Sequence, residues 1–259
     1  MNSFTKAGCA GLILAACASA QAAPTAIVSP VYLAQALADN RRPAGDVAKD
    51  AARKPEQVIA FAGLKPGAKV VDFMSGNAYF TRLFSAVVGP TGKVYAVIPE
   101  EMARLCDPSE FAGSHVVEHD PRYHNVVVST QRVDDLKAPE PVDLVFTAQN
   151  YHDLHDHYFA GEKVGDVNRR IFAALKPGGV YLVLDHAAVA GSGSRDTETR
   201  HRIDPATIRR EVEAAGFVFD GESAVLRNRA DDHSLRVFDP RIRGRTDQVI
   251  LRFRRPASA

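Results

Sequence analysis

The sequence predicts a doubly wound, Rossmann-like α/β fold on a mostly parallel sheet, and two observations predict it. Short β-branched runs alternate along the chain with amphipathic stretches of helical length, an order that calls for helices on both faces of a parallel sheet. The segment Val70 to Val88 also joins a buried strand, an acid-bearing tight turn and an immediate helix, the crossover that open α/β sheets use to hold nucleotide-type ligands. With 46% apolar and 24% charged residues over 259 positions, the chain can bury a full-sized core, which excludes a disordered protein. The formal charge of +1 gives no pull toward nucleic acid or an anionic membrane, so the expected partner is a small molecule.

The first element to account for is one that should not belong to the fold. Met1 to Pro24 carries Lys6, an apolar run from Ala7 to Ala16 and small residues ending in Ala20-Gln21-Ala22, the pattern of a secretory signal peptide spanning residues 1–22. The same residues hold Leu14-Ala15-Ala16-Cys17, which resembles a bacterial lipobox; on that reading the signal is residues 1–16 and Cys17 becomes a lipid tether. Either route exports the protein, to the periplasm. No later run reaches the roughly 20 apolar residues of a bilayer span. After cleavage only Cys106 remains, so no internal disulfide forms, and Cys106 reads as a half-buried loop residue without the His and acid of a nucleophile.

The body, residues 25–259, reads as one domain that opens with a helical arm over 25–54, interrupted by Pro30 and Pro43. Pro55 starts a helix that Gly63 closes. Strands are expected at Lys69 to Phe73, Val94 to Ile98, Val126 to Thr130, Val142 to Thr147 and Val180 to Leu184, with helices at Tyr79 to Val88 and Val167 to Leu175. The last third supplies a helix from Pro205 to Ala215 stopped by Gly216, then strands near Phe217 to Phe219 and Gln248 to Phe253. Gly191-Ser192-Gly193-Ser194 lacks the spacing of an esterase elbow and reads as a loop. The arginines of 241–245 and 252–255 read as solvated edges.

The stretch Val70-Val71-Asp72-Phe73-Met74-Ser75-Gly76-Asn77-Ala78 resembles the first motif of the class I S-adenosylmethionine-dependent methyltransferases, an acid followed by alternating glycines. Later segments resemble the same family in the same order: Gly89-Pro90-Thr91-Gly92-Lys93 before the second strand, Asp134-Asp135-Leu136 before the fourth, and Leu175-Lys176-Pro177-Gly178-Gly179 as the turn into the fifth. The resemblance covers most of the chain after Pro55. It implies a seven-stranded sheet, S-adenosylmethionine as cofactor, Asp72, Ser75, Gly76 and Ala78 beside it, Glu100 or Glu101 on the ribose, and Asp134 and Asp135 in the adenine loop. Met74 and Ala78 stand where the family has glycine, so the backbone there should avoid glycine-only angles or the ligand should sit farther out.

Ligands of open α/β sheets lie beyond the carboxyl ends of the strands. That rule singles out Asn150, Tyr151, His152 and Asp153 after the fourth strand, Asp185 and His186 after the fifth, and His201 farther on. These segments, with Thr199 to Asp204 and the tail from Leu226 to Pro240, resemble a poorly characterised set of predicted bacterial methyltransferases that often carry signal peptides. His152, His186 and His201 are expected as general base or substrate contacts, Asn150 and Asp153 as orienting groups, and Tyr151 as a packing surface for ligand. A metal on His152, His155 and Asp156 would need a helix there to bring them onto one face, and no metal is assigned. The resemblance implies a methyltransferase acting on a small molecule; the alternative is an exported, noncatalytic binding protein that kept the fold, which the reduced glycine motif and export both favour.

Overall fold

The computed structural model describes residues 1, 30–159 and 164–257; the signal peptide, the lipobox and Cys17 lie outside them. The sequence KVVDF makes β1 (Lys69–Phe73), which is buried along nearly its whole length, as a strand covered on both faces must be. It pairs in parallel with β2 (Lys93–Pro99) and β4 (Val142–Ala148). Beyond β2 lies β3 (Val126–Gln131), and beyond β4 come β5 (Leu175–His186), β7 (Gln248–Arg254) and β6 (Val218–Ser223). The order is β3-β2-β1-β4-β5-β7-β6, with β7 antiparallel to both neighbours.

Alternate strand residues feed two cores, because successive side chains point to opposite faces. Val70, Leu144, Phe146 and Leu182 pack with α4 (Pro55–Ala62) and α5 (Tyr79–Val88), whose Val58, Leu83, Phe84 and Val87 are buried. Val71, Val145, Tyr181 and Val183 pack with α8 (Val164–Ala174) and α10 (Pro205–Ala214) through Val167, Ile171, Ile208 and Val212. The sequence signals at the helix ends hold: Pro55 is the first residue of α4, and Gly63 closes it at φ 72°. Gly216, just past α10, takes φ 103°. The arm forms α1 (Val31–Leu37), α2 (Ala44–Val47) and α3 (Asp50–Arg53), with α1 packed on α4 and α5. Short helices α6 (Glu100–Leu105) and α7 (Ala112–His119) follow β2, and α9 (Thr197–Arg200) follows β5. Among the described residues no helix is long and apolar enough to cross a membrane.

Two expectations need correction. The segment Leu175 to Gly179 is not a turn preceding the fifth strand but its first part: Leu175 pairs with Val142 and Val180 with Leu144. Residues 176–179 are extra length absorbed between those pairs, and Gly178 takes φ 79° to do it, the behaviour of a bulge. Second, Met74 and Ala78 do not avoid the left-handed region; their φ values are 62° and 61°. Hydrogen bonds from the Ser75 amide to the Val97 carbonyl and from the Ala78 amide to the Ser75 carbonyl fix the turn, and the side chains follow it. Such angles cost roughly 1–2 kcal/mol in a non-glycine residue. Ala78→Gly is therefore expected to leave folding stability unchanged or raise it by up to about 1 kcal/mol; a loss of that size in urea titration would contradict the strain.

Candidate active site

Beyond the carboxyl ends of β1, β4 and β5 opens a cavity of about 470 Å³. Its floor is the turn after β1, with Asp72, Met74, Ser75, Gly76 and Asn77 lining it. Gly76 has φ 52°, and a Cβ there would meet nothing within 4 Å, so the open space is cavity and not packing. Asp72 is buried and accepts a 2.5 Å hydrogen bond from Thr81 Oγ1. Burial, outweighing the Thr81 hydrogen bond and the Arg53 charge, pushes its carboxyl up to about 7. Ser75 and Gly76 are tied to α7, since Ser114 Oγ lies 3.2 Å from Ser75 Oγ and donates to the Gly76 carbonyl.

Not every residue that the sequence nominated reaches this space. Ala78 turns away from the cavity and packs with Val117 and Tyr123. Glu100 begins α6 on its outer face, where it pairs with Arg104 across one helical turn; Glu101 is buried but does not line the cavity. Asp134 and Asp135 lie in a short 3-10 turn after the edge strand β3, beside Arg132 and Lys137, and neither lines the cavity. Tyr151 offers no surface to a ligand: it is fully buried, donating to Glu211 and accepting from Asn168.

The five polar residues nominated as catalytic, Asn150, His152, Asp153, His186 and His201, all line the cavity. The chain after β4 makes a 3-10 turn, His152–His155. His152 Nδ1 lies 2.8 Å from Asp185 Oδ1, and the His152 amide donates to the other oxygen of that carboxylate. Its Nε2 lies 3.1 Å from Asp153 Oδ1. Burial alone would push this imidazole down, but Asp185 and Asp153 outweigh it and hold His152 well above its ordinary pKa. In the same contact Asp153, despite burial, is held below the usual carboxylate range by His152. The two carboxylates thus favour the protonated form of His152, which suits it to the substrate-contact role among those expected of it more than to that of general base.

His186 differs. Burial, then the charges of His152 and Arg202, hold it well below its ordinary pKa, so it is neutral. Gln248 donates to Thr246 Oγ1, which lies 2.8 Å from His186 Nδ1, so the Thr246 hydroxyl fixes the ring from behind. His201 sits just past α9 at φ 55°, with Nδ1 3.3 Å from His152 Nε2. The other histidines of the cluster do not converge with these: His155 pairs with Glu211 and His157 with Glu198.

Lys49 and Arg53 from the arm and Glu110 from the short 3-10 turn before α7 line the cavity without having carried any signal in the sequence, while Gln149 just past β4 and Arg236, Val237 and Phe238 between β6 and β7 come from segments that the resemblance covered. Arg53 lies 4.5 Å from the Tyr79 ring centre and 3.4 Å from Gln149 Oε1. Among the described residues it has no carboxylate at ion-pair distance. Cys106 also lines the cavity, and burial pushes its thiol up, which keeps it protonated and a poor nucleophile.

No protein-family model matches the chain. Two solved structures share this architecture at low identity: the cyclase SpnF, with TM-score 0.58 and 16% identity over 86% of this chain and 91% of its own, and the 1,6-didemethyltoxoflavin-N1-methyltransferase of Burkholderia thailandensis, with TM-score 0.53 and 19% identity over 82% and 79%. The latter was solved with 1,6-didemethyltoxoflavin and S-adenosylhomocysteine bound. The fold is that of the class I S-adenosylmethionine-dependent methyltransferases. A curated relative, the ubiquinone/menaquinone biosynthesis C-methyltransferase UbiE of Ectopseudomonas mendocina, is 32% identical over 136 residues. The match spans 49% of this chain and 45% of that relative, so the chain spans less than half the length of the relative it matches.

Proposed function

We propose that the protein is a methyltransferase that uses S-adenosylmethionine and acts on a small molecule. One observation carries the reading: the cavity sits at the carboxyl ends of β1 and β4 and is floored by the motif-like turn, and it is lined by the buried acid Asp72 and by Arg53, which among the described residues has no carboxylate at ion-pair distance. A solved methyltransferase with the same fold and bound S-adenosylhomocysteine, and the 32% identical UbiE segment, support it.

The residues present fit the cofactor. Gly76 leaves room where a side chain would close the floor. Arg53 would hold the methionine carboxylate and Asp72 its ammonium, and Glu110 is a lining carboxylate available to the ribose hydroxyls. When bound, S-adenosylmethionine supplies a methyl group activated on a sulfonium. What the chain adds is position: an acceptor bound against this wall would meet Asp153 and His201 as groups that can take its proton, with the protonated His152 as a hydrogen-bond donor, and Arg236 and Phe238 at the mouth.

Calorimetric titration of the purified protein with S-adenosylhomocysteine tests this. Micromolar binding is expected, and Gly76→Val should abolish it, because a β-branched residue does not adopt φ 52°. Absence of both heat and thermal stabilisation at millimolar ligand would favour the noncatalytic reading, which the fold alone does not exclude.

We also propose that the protein is exported. Lys6, the apolar run Ala7 to Ala16 and the small residues before Ala23 support it. Intact-mass measurement of protein from its native membrane and periplasmic fractions should give a chain starting near Ala23 or at an acylated Cys17; an unprocessed Met1 would overturn export.

A further inference from the structure

We propose that His152, Asp153 and His201 form a binding site for one divalent transition-metal ion, of the zinc or iron(II) class, in the cavity wall. The donors come from two separate segments, the turn after β4 and the residue following α9, and all three groups lie within 4.8 Å of one another. His152 Nε2 is 3.1 Å from Asp153 Oδ1 and 3.3 Å from His201 Nδ1, and the remaining pair is 3.8 Å apart. Nitrogen and oxygen ligands bound at about 2.0–2.2 Å to a tetrahedral ion stand roughly 3.3–3.6 Å from one another. The three edges bracket that range, so small side-chain shifts seat the ion.

Three further features fit a metal centre better than a hydrogen-bonded cluster alone. Asp185, with 0% exposure, holds His152 through Nδ1, which leaves Nε2 directed at Asp153 and His201, and the ion takes the place of the Nε2 proton, which is released to solvent; a carboxylate behind the ligating imidazole is the usual outer support of a metal-bound histidine. Asp153 and Asp185 are both buried acids, and a dication neutralises the pair. Two imidazoles and one carboxylate are also a donor set that borderline dications prefer over magnesium or calcium. Arg236 Nη2 lies 3.0 Å from His201 Nε2. Once Nδ1 holds the ion, Nε2 must carry the proton, and Arg236, which is exposed and stacked on Phe238 at 5.2 Å, turns away. The remaining coordination positions face the cavity. In the methyl-transfer reading, on which this one step rests, they take an acceptor with an oxygen or nitrogen donor.

The test is metal binding by the full chain without an affinity tag, stripped with chelator and titrated with zinc chloride and, in parallel, cobalt(II) chloride. One equivalent per chain is expected, with intense visible absorption from the cobalt form that marks a four- or five-coordinate site. Asp185→Asn should weaken zinc binding roughly 10–100-fold, and His201→Ala and Asp153→Asn by more. Arg236→Ala should tighten it, and His157→Ala should leave it unchanged. Melting curves on the chelated proteins establish that each variant is folded; if one is not, the others carry the test. A wild type that binds no stoichiometric metal, or a folded His201→Ala that binds as tightly as wild type, overturns the proposal. Neither result bears on S-adenosylhomocysteine binding, so the methyltransferase reading stands or falls separately.

Discussion

Replacing Asp231 by alanine is expected to cost roughly 3–5 kcal/mol of folding stability and to abolish ligand binding in whatever fraction stays folded. Asp231 faces Arg202, the largest of the fully buried side chains. Nη2 of Arg202 donates to both oxygens of Asp231, Nη1 donates to the Ala187 carbonyl and Nε to the Leu235 carbonyl. The Asp231 carboxylate also accepts from the amides of His233 and Asp247. Truncation leaves a guanidinium at 0% exposure without its counter-charge, along with two backbone amides that have lost their acceptor.

The damage is not confined to stability. The chain between β6 and β7 has no regular structure to hold it, and this ion pair fastens it to the segment after α9 and, through the Ala187 carbonyl, to the end of β5. Arg236, Val237 and Phe238 reach the cavity from it, and Val237 is held in addition by the Arg200 carbonyl. Urea titration checks the first half of the expectation. The double variant Arg202→Met with Asp231→Leu checks the cause: with both charges gone the loss should be much smaller than in Asp231→Ala, as buried pairs replaced together by apolar groups often show. An equal loss in the double variant would mean that the backbone contacts, and not the stranded charge, dominate.

The same contrast between local and distant contacts explains what the sequence made legible. The crossover from β1 to α5 was readable because strand, turn and helix lie within a few residues of each other, and α5 spans Tyr79–Val88 as expected. Pro55 and Gly63 mark their helix for the same reason. The line-up of Asn150, His152, Asp153, His186 and His201 along one cavity followed from a rule about strand ends, not from their mutual spacing. What could not be read was who touches whom. Asp185 is 33 positions from His152 and His201 is 49, and only the register of β4 on β5 and the return of the chain past α9 bring them together. Arg53 reaches the site from the arm, and no periodic pattern indicates that it ends beside Asp72. Asp134 and Asp135 lie outside the cavity for a matching reason: their loop follows the edge strand β3, which β2 separates from β1, where the cavity begins. Met74 and Ala78 show a further limit, since hydrogen bonding across the turn imposes a left-handed backbone that residue type alone argues against.

Asp72→Asn should make the protein more stable at neutral pH while removing cofactor binding. The wild-type carboxyl titrates at about 7 in the fold because it is buried, against about 3.9 in the unfolded chain. A raised acid means that the folded state binds the extra proton between those values. Its full contribution is present below about pH 4, and stability falls as pH climbs toward about 7 and is flat beyond. At about 1.4 kcal/mol for each tenfold step, the cost at pH 8 is on the order of 4 kcal/mol. Asparagine can still accept the Thr81 hydrogen bond and has nothing to ionise, so the variant should lose this part of the pH slope, which melting temperatures from about pH 4 to 8 will show. A variant that keeps the wild-type slope would remove Asp72 as its source. The ligand side has the opposite sign. A bound ammonium favours the carboxylate, so binding to the wild type should release a proton and tighten about tenfold between pH 6 and pH 8, as calorimetry in buffers of different ionisation heat can resolve. Stability and binding then draw on the same buried charge: the acid that weakens the fold as it ionises is the one the cofactor needs ionised.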